Sequence, residues 1–312
     1  MSRPRARAIS SRPTSNAAIG VAYAALAYLR WGLMPLYWRA VDWLPADQIV
    51  GHRVVWSVLV LAVLLAAFRR FGDLLRVLGD PSMLRWLLLS AVLISINWLV
   101  FVWAVAHERV LQASLGYFIN PLVNVALGML FLQERLTPRQ RLAVVLAGAG
   151  VAWQTLGLGV LPWVSLALAG SFGFYGLVRK TAPVDALLGL AVETLLLAPL
   201  ALAYLLWADP QWATFTRHGW SGALLVAQAG LVTALPLLWF ANGARRLRYA
   251  TLGFVQYLAP TGHLLLAVLV FGEPFTAVHA GSFGLIWLAL ALYTWDISRD
   301  RRHQRPAVPR VR

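Results

Sequence analysis

Apolar residues follow one another along this chain in windows of about 20, separated by short polar or charged breaks. That is the length needed to cross a hydrocarbon core roughly 30 Å thick. The windows cover residues 16–38, 46–68, 84–106, 111–132, 139–157, 160–178, 184–206, 221–242, 250–271 and 276–296, and they predict ten helices. A transmembrane barrel would alternate apolar and polar positions over strands of about ten residues. These runs are continuous, and a helix satisfies its own backbone in lipid. The expected fold class is therefore an all-α polytopic membrane protein.

The pattern also repeats. The stretch ASLGYFINPLVNVALGMLFLQERLT, from Ala113 to Thr137, returns as ATLGFVQYLAPTGHLLLAVLVFGEPFT, from Ala250 to Thr276. Pro121 and Pro260 stand 139 residues apart, as do Glu134 and Glu273, and Thr137 and Thr276. An offset of 141 places Trp31-Gly32 on Phe172-Gly173, His52 on Glu193 and Trp98 on Trp239. A duplication explains the order of these matches. Five helices per copy is an odd number, so the second copy must cross in the opposite sense, giving two inverted five-helix repeats over 16–157 and 160–296. Basic tails, 1–15 and 297–312, flank them.

Composition agrees with lipid as the main solvent: 60% of the 312 residues are hydrophobic, mean hydropathy is +0.69, and only 12 residues are acidic. The net charge of +15 changes the picture less than its size suggests. Lys and Arg collect in the N-terminal tail, at Arg69 to Arg85, Arg135 to Arg141, Arg179 to Lys180, Arg245 to Arg248 and in the C-terminal tail, while intervening loops hold at most one. This positive-inside bias predicts a multi-pass protein with both termini cytoplasmic, and it argues for anionic lipid heads rather than nucleic acid as the partner of the charge. The Arg-rich start precedes a span too long for a signal-peptide core. With no cysteine, disulfides, thiolate metal sites and a Cys nucleophile are excluded.

Candidate chemistry is sparse. Gly32 and Pro35 in the first span, Pro121 in the fourth and Pro260 in the ninth predict kinks, which lipid tolerates where a cavity or neighbouring groups re-satisfy the backbone. Tyr117, Asn120, Pro121 and Asn124 recur at steps of three and four, as do Gly253, Gln256, Pro260 and His263, so each set shares a helix face. Asn97 either lines a site or bonds across helices. Glu193 is the one acid clearly inside a span, serving either proton coupling or solute contact, or an interhelical hydrogen bond. Arg30 either snorkels or faces a cavity. Arg53 either pairs with Asp47, caps carbonyls or contacts solute. Glu134 reads as a turn acid, and Thr137-Pro138 as the cap and first position of the fifth helix. There is no Gly-rich phosphate loop, HExxH or Ser/His/Asp set, so no catalytic residue, cofactor or metal is expected.

Several blocks carry a resemblance: ADQIVGHRVVWS at 46–57, NW with FVWAV at 97–105, QASLGYFINPLVNVALGMLFLQERLT at 112–137, SFGFYGLVRK at 171–180 and ATLGFVQYLAP at 250–260. Together they resemble the RarD group of the EamA-type transporters in the drug/metabolite transporter superfamily, over nearly the whole chain. The resemblance implies a ten-helix, two-fold pseudo-symmetric basket in the bacterial inner membrane that exports small metabolites or drugs. Arg30 departs from the pattern, which has an apolar residue before Trp-Gly. The expected protein is thus a secondary transporter, not an enzyme, with a small-molecule solute as partner. Trp31, Trp98, Tyr117, Phe172, Tyr175 and Trp239 would enclose the solute; Asn97, Asn120, Asn124, Gln256 and His263 would orient it. Glu193, with His52 or His263, is the candidate for proton linkage. The rivals are a membrane-embedded enzyme acting on lipid-like substrates and a passive channel. No stripe on the spans predicts an oligomer.

Overall fold

The computed structural model describes residues 13–107, 110–158, 163–272 and 275–303, and within them every regular element is helical. In chain order these are α1 (Pro13–Gly32), α2 (Met34–Ala40), α3 (Ala46–Ala67), α4 (Phe71–Leu78), α5 (Pro81–Ala106), α6 (Val110–Phe131) and α7 (Pro138–Leu158). There follow α8 (Trp163–Thr181), α9 (Ala186–Ala208), α10 (Ala213–Thr216), α11 (Gly219–Arg246), α12 (Tyr249–Gln256), α13 (Leu258–Leu269) and α14 (Ala277–His303). Each predicted window is met by helix. Glu273, the expected counterpart of Glu134, lies outside the described residues.

Among the described residues, seven stretches are long and apolar enough to cross a membrane: Asn16–Ala40, Ala46–Ala67, Pro81–Ala104, Ala186–Ala208, Gly219–Arg246, Tyr249–Leu269 and Ala277–Arg299. The chain is therefore a polytopic membrane protein. Of the other predicted windows, α6 supplies a shorter apolar helix, Gly116–Phe131. Both α7 and α8 are rich in Gly and Ala and carry basic residues at one end, Arg139 and Arg141 in α7 and Arg179 and Lys180 in α8. Large apolar side chains such as Leu130, Leu156, Leu200 and Trp207 stand out from the bundle. An apolar exterior of this extent suits lipid and not water.

Two helix breaks lie near predicted kinks, whereas Pro121 sits within a continuous helix. The first window divides at Leu33 into α1 and α2, and the ninth divides at Tyr257 into α12 and α13; Pro121 lies inside α6. Two short helices occupy stretches that read as loops. Of these, α4 is amphipathic: it buries Leu74 and Val77 and packs on α9 and α5, while α10 packs on α11.

Close backbone approach sets the packing. A Cβ on Gly230 would overlap the backbone of Trp56 and Ser57, so only glycine fits at this crossing of α11 and α3. A Cβ on Gly262 would stand 3.0 Å from the Gly32 Cα, which joins α13 to the break in α1. The bundle is assembled from α1 on α11, α3 on α9 and α11, α5 on α8, α6 on α8 and α12, α13 on α1, and α7 on α14. Its main core holds Tyr28, Tyr175, Phe240, Tyr249 and Leu252, and a second core lies between α6, α7, α12 and α14.

Candidate functional site

A cavity of about 320 Å³ lies between the halves, toward the end of the bundle that holds the α2–α3 and α5–α6 connections. Its wall draws on α1, α2, α3, α5 and α6 from the first half, and on α8, α11, α12 and α13 from the second. Small-molecule sites have this character, mostly apolar with a few polar groups, in pockets of roughly 300–1,000 Å³.

Helix periodicity explains which side chains face it. Ile94, Asn97, Trp98 and Phe101 step by three and four along α5, and Trp31, Pro35 and Trp38 do so across α1 and α2. Of the residues expected to enclose a solute, Trp31, Trp98, Tyr117 and Phe172 line the cavity. Trp31 meets Phe172 edge-on at 5.7 Å between ring centroids. Tyr175 and Trp239 do not line it: Tyr175 is buried beneath, near-parallel to Phe240 at 6.1 Å, and Trp239 packs against the main core.

The amide groups divide similarly. Asn97, Asn120 and Gln256 reach the wall. Asn97 Nδ2 donates to the Leu168 carbonyl at 3.0 Å and to Ser171 Oγ at 3.1 Å, and Asn120 Nδ2 donates to the Ala169 carbonyl at 3.2 Å. Both amides therefore bond across helices while bordering the cavity. Asn124 lies one layer deeper and donates to Gln256 Oε1 at 2.9 Å, an oxygen that Tyr28 also approaches at 3.3 Å.

His263 lines the cavity and has a structural duty. Pro35 carries no N–H, so the Trp31 carbonyl loses its helical partner at the break. His263 Nε2 stands 3.0 Å from that carbonyl, which can only accept, so Nε2 carries the proton. His52 is elsewhere: it is buried and stacks on Phe215 at 5.2 Å. Arg30 occupies the last turn of α1, where a cation suits the open carbonyl end of a helix.

Glu193 sits below the cavity on α9, beside a water-sized void that shares Ile94, Trp98 and Leu237 with the cavity wall. It pairs with Arg179 at 3.2 Å, accepts from Ser90 Oγ, and takes the Tyr175 hydroxyl at 3.3 Å. Arg179 is wholly buried and also donates to the Ala186 carbonyl at 3.1 Å. A buried pair needs such extra hydrogen bonds to offset its desolvation.

At the opposite end of the bundle, basic side chains tie helices together. Lys180 Nζ donates to the Ala244 carbonyl at 2.9 Å and to that of Leu247, and Arg245 Nη1 donates to the Ala182 and Val184 carbonyls at 2.9 and 2.6 Å. Glu134 accepts the Tyr249 and Ala250 backbone N–H groups at 2.5 and 3.0 Å, so the turn after α6 caps α12. Thr137 and Gln140 form a reciprocal capping box at the start of α7.

Tyr28, Trp38 and Phe101, which the sequence did not single out, also line the cavity, as does Arg53, for which solute contact was one alternative. The three- and four-residue steps from Trp31 and Asn97 were the available signal for Trp38 and Phe101. Arg53 resolves its alternatives: it does not pair with Asp47, which instead accepts the Tyr204 hydroxyl. Among the described residues, no group of three His, Asp or Glu could hold a metal ion.

A helical membrane bundle around a solute-sized internal cavity has the form of a transport protein, and comparison with known proteins gives the class. Residues 18–156 match the EamA-like transporter family. An uncharacterized transporter of Pseudomonas aeruginosa is 51% identical over 93% of this chain and 97% of its own length. The protein RarD of Salmonella typhimurium is 48% identical over 91% of this chain and 97% of its own. A solved crystal structure shares the fold with a TM-score of 0.69 at 20% identity, covering 90% of this chain and 98% of that one. The chain belongs to the RarD group of the EamA-type transporters, multi-pass bacterial membrane proteins of the drug/metabolite type.

Proposed function

We propose that this protein is a secondary transporter of the inner membrane that exports small metabolites or drug-like solutes by alternating access, with ten crossings in two inverted five-helix repeats and both termini in the cytoplasm. The observation that carries the reading is a cavity walled by helices of both halves and set toward one end of the bundle, with basic side chains tying the helices together at the other. Exchanging the halves maps the helix neighbours onto themselves, which supports the repeat. The α1–α11 contact becomes α8–α5, α3–α11 becomes α9–α5, and α6–α8 becomes α12–α13 on α1; α3–α9, α7–α14 and α6–α12 each map to themselves.

The asymmetry within that symmetry supports alternation. Both Trp98 and Trp239, its counterpart at an offset of 141, are half-buried against the main core, yet Trp98 lines the cavity and Trp239 does not. Swapping these two environments would close one end and open the other, as inverted-repeat transporters do.

Proton linkage in this reading rests on Glu193, since His52 stands apart from it and His263 Nε2 is held by the Trp31 carbonyl. The proposal is tested by comparing the metabolites released by cells with and without the protein, and then by counterflow of any differing solute in proteoliposomes. Identical release would overturn the export reading. Solute flux in liposomes that never exceeds equilibration under an imposed pH difference or potential would favour a channel.

A further inference from the structure

The inference concerns the chemistry of the solute and rests on the transport reading above. Among the described residues, Arg53 is the only Lys, Arg, Asp or Glu that lines the cavity. Its Nε donates to Thr233 Oγ1 at 2.9 Å, and its guanidinium carbon lies 4.8 Å from the Trp98 ring centroid and 5.6 Å from that of Trp38. Two indole faces and one hydroxyl fix the group without neutralising it. Among the described residues no carboxylate forms an ion pair with it; Asp47, its nearest acid along α3, is taken by Tyr204. The side chain is half-buried, so part of it remains open to the cavity.

A guanidinium keeps its charge in a protein and presents a planar fork of donors matched to a carboxylate. Holding a cation within a membrane is costly, and the two indole faces stabilise the charge without cancelling it. The other titratable groups in the wall are Tyr28, Tyr117 and His263, none of them an anion when neutral. With no acid among the described residues of the wall, no carboxylate there holds an ammonium group by charge. The remaining surface is aromatic and aliphatic.

We infer that Arg53 is the specificity residue of this cavity and that the transported solute is a small organic anion, a carboxylate carried on a planar apolar body. The carboxylate docks on the free edge of the Arg53 guanidinium, and the body lies against the aromatic wall.

The test uses the full-length protein in detergent, with radiolabelled 3-phenylpropanoate as probe and the isosteric 3-phenylpropanamide and 3-phenylpropylamine as competitors. Wild type should prefer the acid to the amide by about tenfold or more, as charge-assisted hydrogen bonds are roughly twice as strong as neutral ones, and should prefer the amide to the amine. Arg53→Gln, which keeps a donor for Thr233, should bring the acid down to the level of the amide while amide binding persists, so the cavity is intact. Arg53→Lys should retain part of the preference.

Equal affinity for acid and amide in wild type, an unchanged preference in Arg53→Gln, or binding of neither compound would overturn the inference. Counterflow of the same three compounds in proteoliposomes separates this from the transport reading. Arg53-dependent binding without counterflow would uphold the anion site and count against transport.

Discussion

His263 shows how one residue can serve two ends: it lines the cavity, and it supplies the donor that Pro35 removes from the Trp31 carbonyl. His263→Ala should destabilise the protein by about 1–3 kcal/mol, the usual cost of leaving a buried acceptor unpaired. His263→Gln should recover part of that loss in thermal unfolding followed in detergent. Glu193 is a sharper case. Glu193→Gln would leave Arg179 buried without its counter-charge, which costs about 3–5 kcal/mol where such pairs have been broken. Stability must therefore be measured beside transport. A folded Glu193→Gln protein whose proton-driven flux equals wild type would remove Glu193 from the coupling mechanism.

At the scale of elements, helix ends are tied across the halves. Glu134, from the turn after α6, caps α12, so Glu134→Ala should cost about 0.5–2 kcal/mol, the range for losing an N-terminal cap. A second tie joins the α3–α4 turn to α9: Arg70 bonds Asp73 through Nε at 2.9 Å and Asp185 through Nη1 at 2.9 Å, and Asp185 caps α9. The hydrogen bond from Arg70, with the positive charges of Arg70 and Arg76 beside it, holds the Asp73 carboxyl below its ordinary range. A depressed carboxylate contributes stability that is present above its unfolded-state pKa and lost as pH falls through the folded value. Wild type should accordingly melt above Asp73→Asn at pH 7, with the two curves converging in acid below about pH 4, the ordinary carboxylate range.

The whole bundle depends on glycine contacts that no single helix reveals. Gly230→Ala would drive a methyl group into the α3 backbone at Trp56, and overpacking of this kind costs about 1–3 kcal/mol or more. Folded yield by size-exclusion chromatography should fall. The absence of cysteine makes the sidedness of the cavity directly measurable, because single-cysteine variants need no background correction. On the proposed topology, a cysteine at Phe101, in the cavity wall, should react with a membrane-impermeant maleimide added to whole cells, and one at Ala244, at the opposite end, should not.

Apolar windows and the family blocks were legible in the chain because each is set by residues adjacent in sequence: the thickness of the lipid core fixes the windows. The capping Thr137 and Pro138 were legible for the same reason. The site was only partly so. Periodicity gave the polar faces of α6 and of α12–α13 but no depth for any side chain, and Asn124, Tyr175 and Trp239, expected at the wall, lie beneath or behind it. The partners of Arg53, Glu134, Glu193 and His263 were decided by tertiary structure alone. Thr233, Tyr249, Ser90 and Trp31 stand many tens of residues away from them, and no local pattern specifies which helix faces meet across that distance.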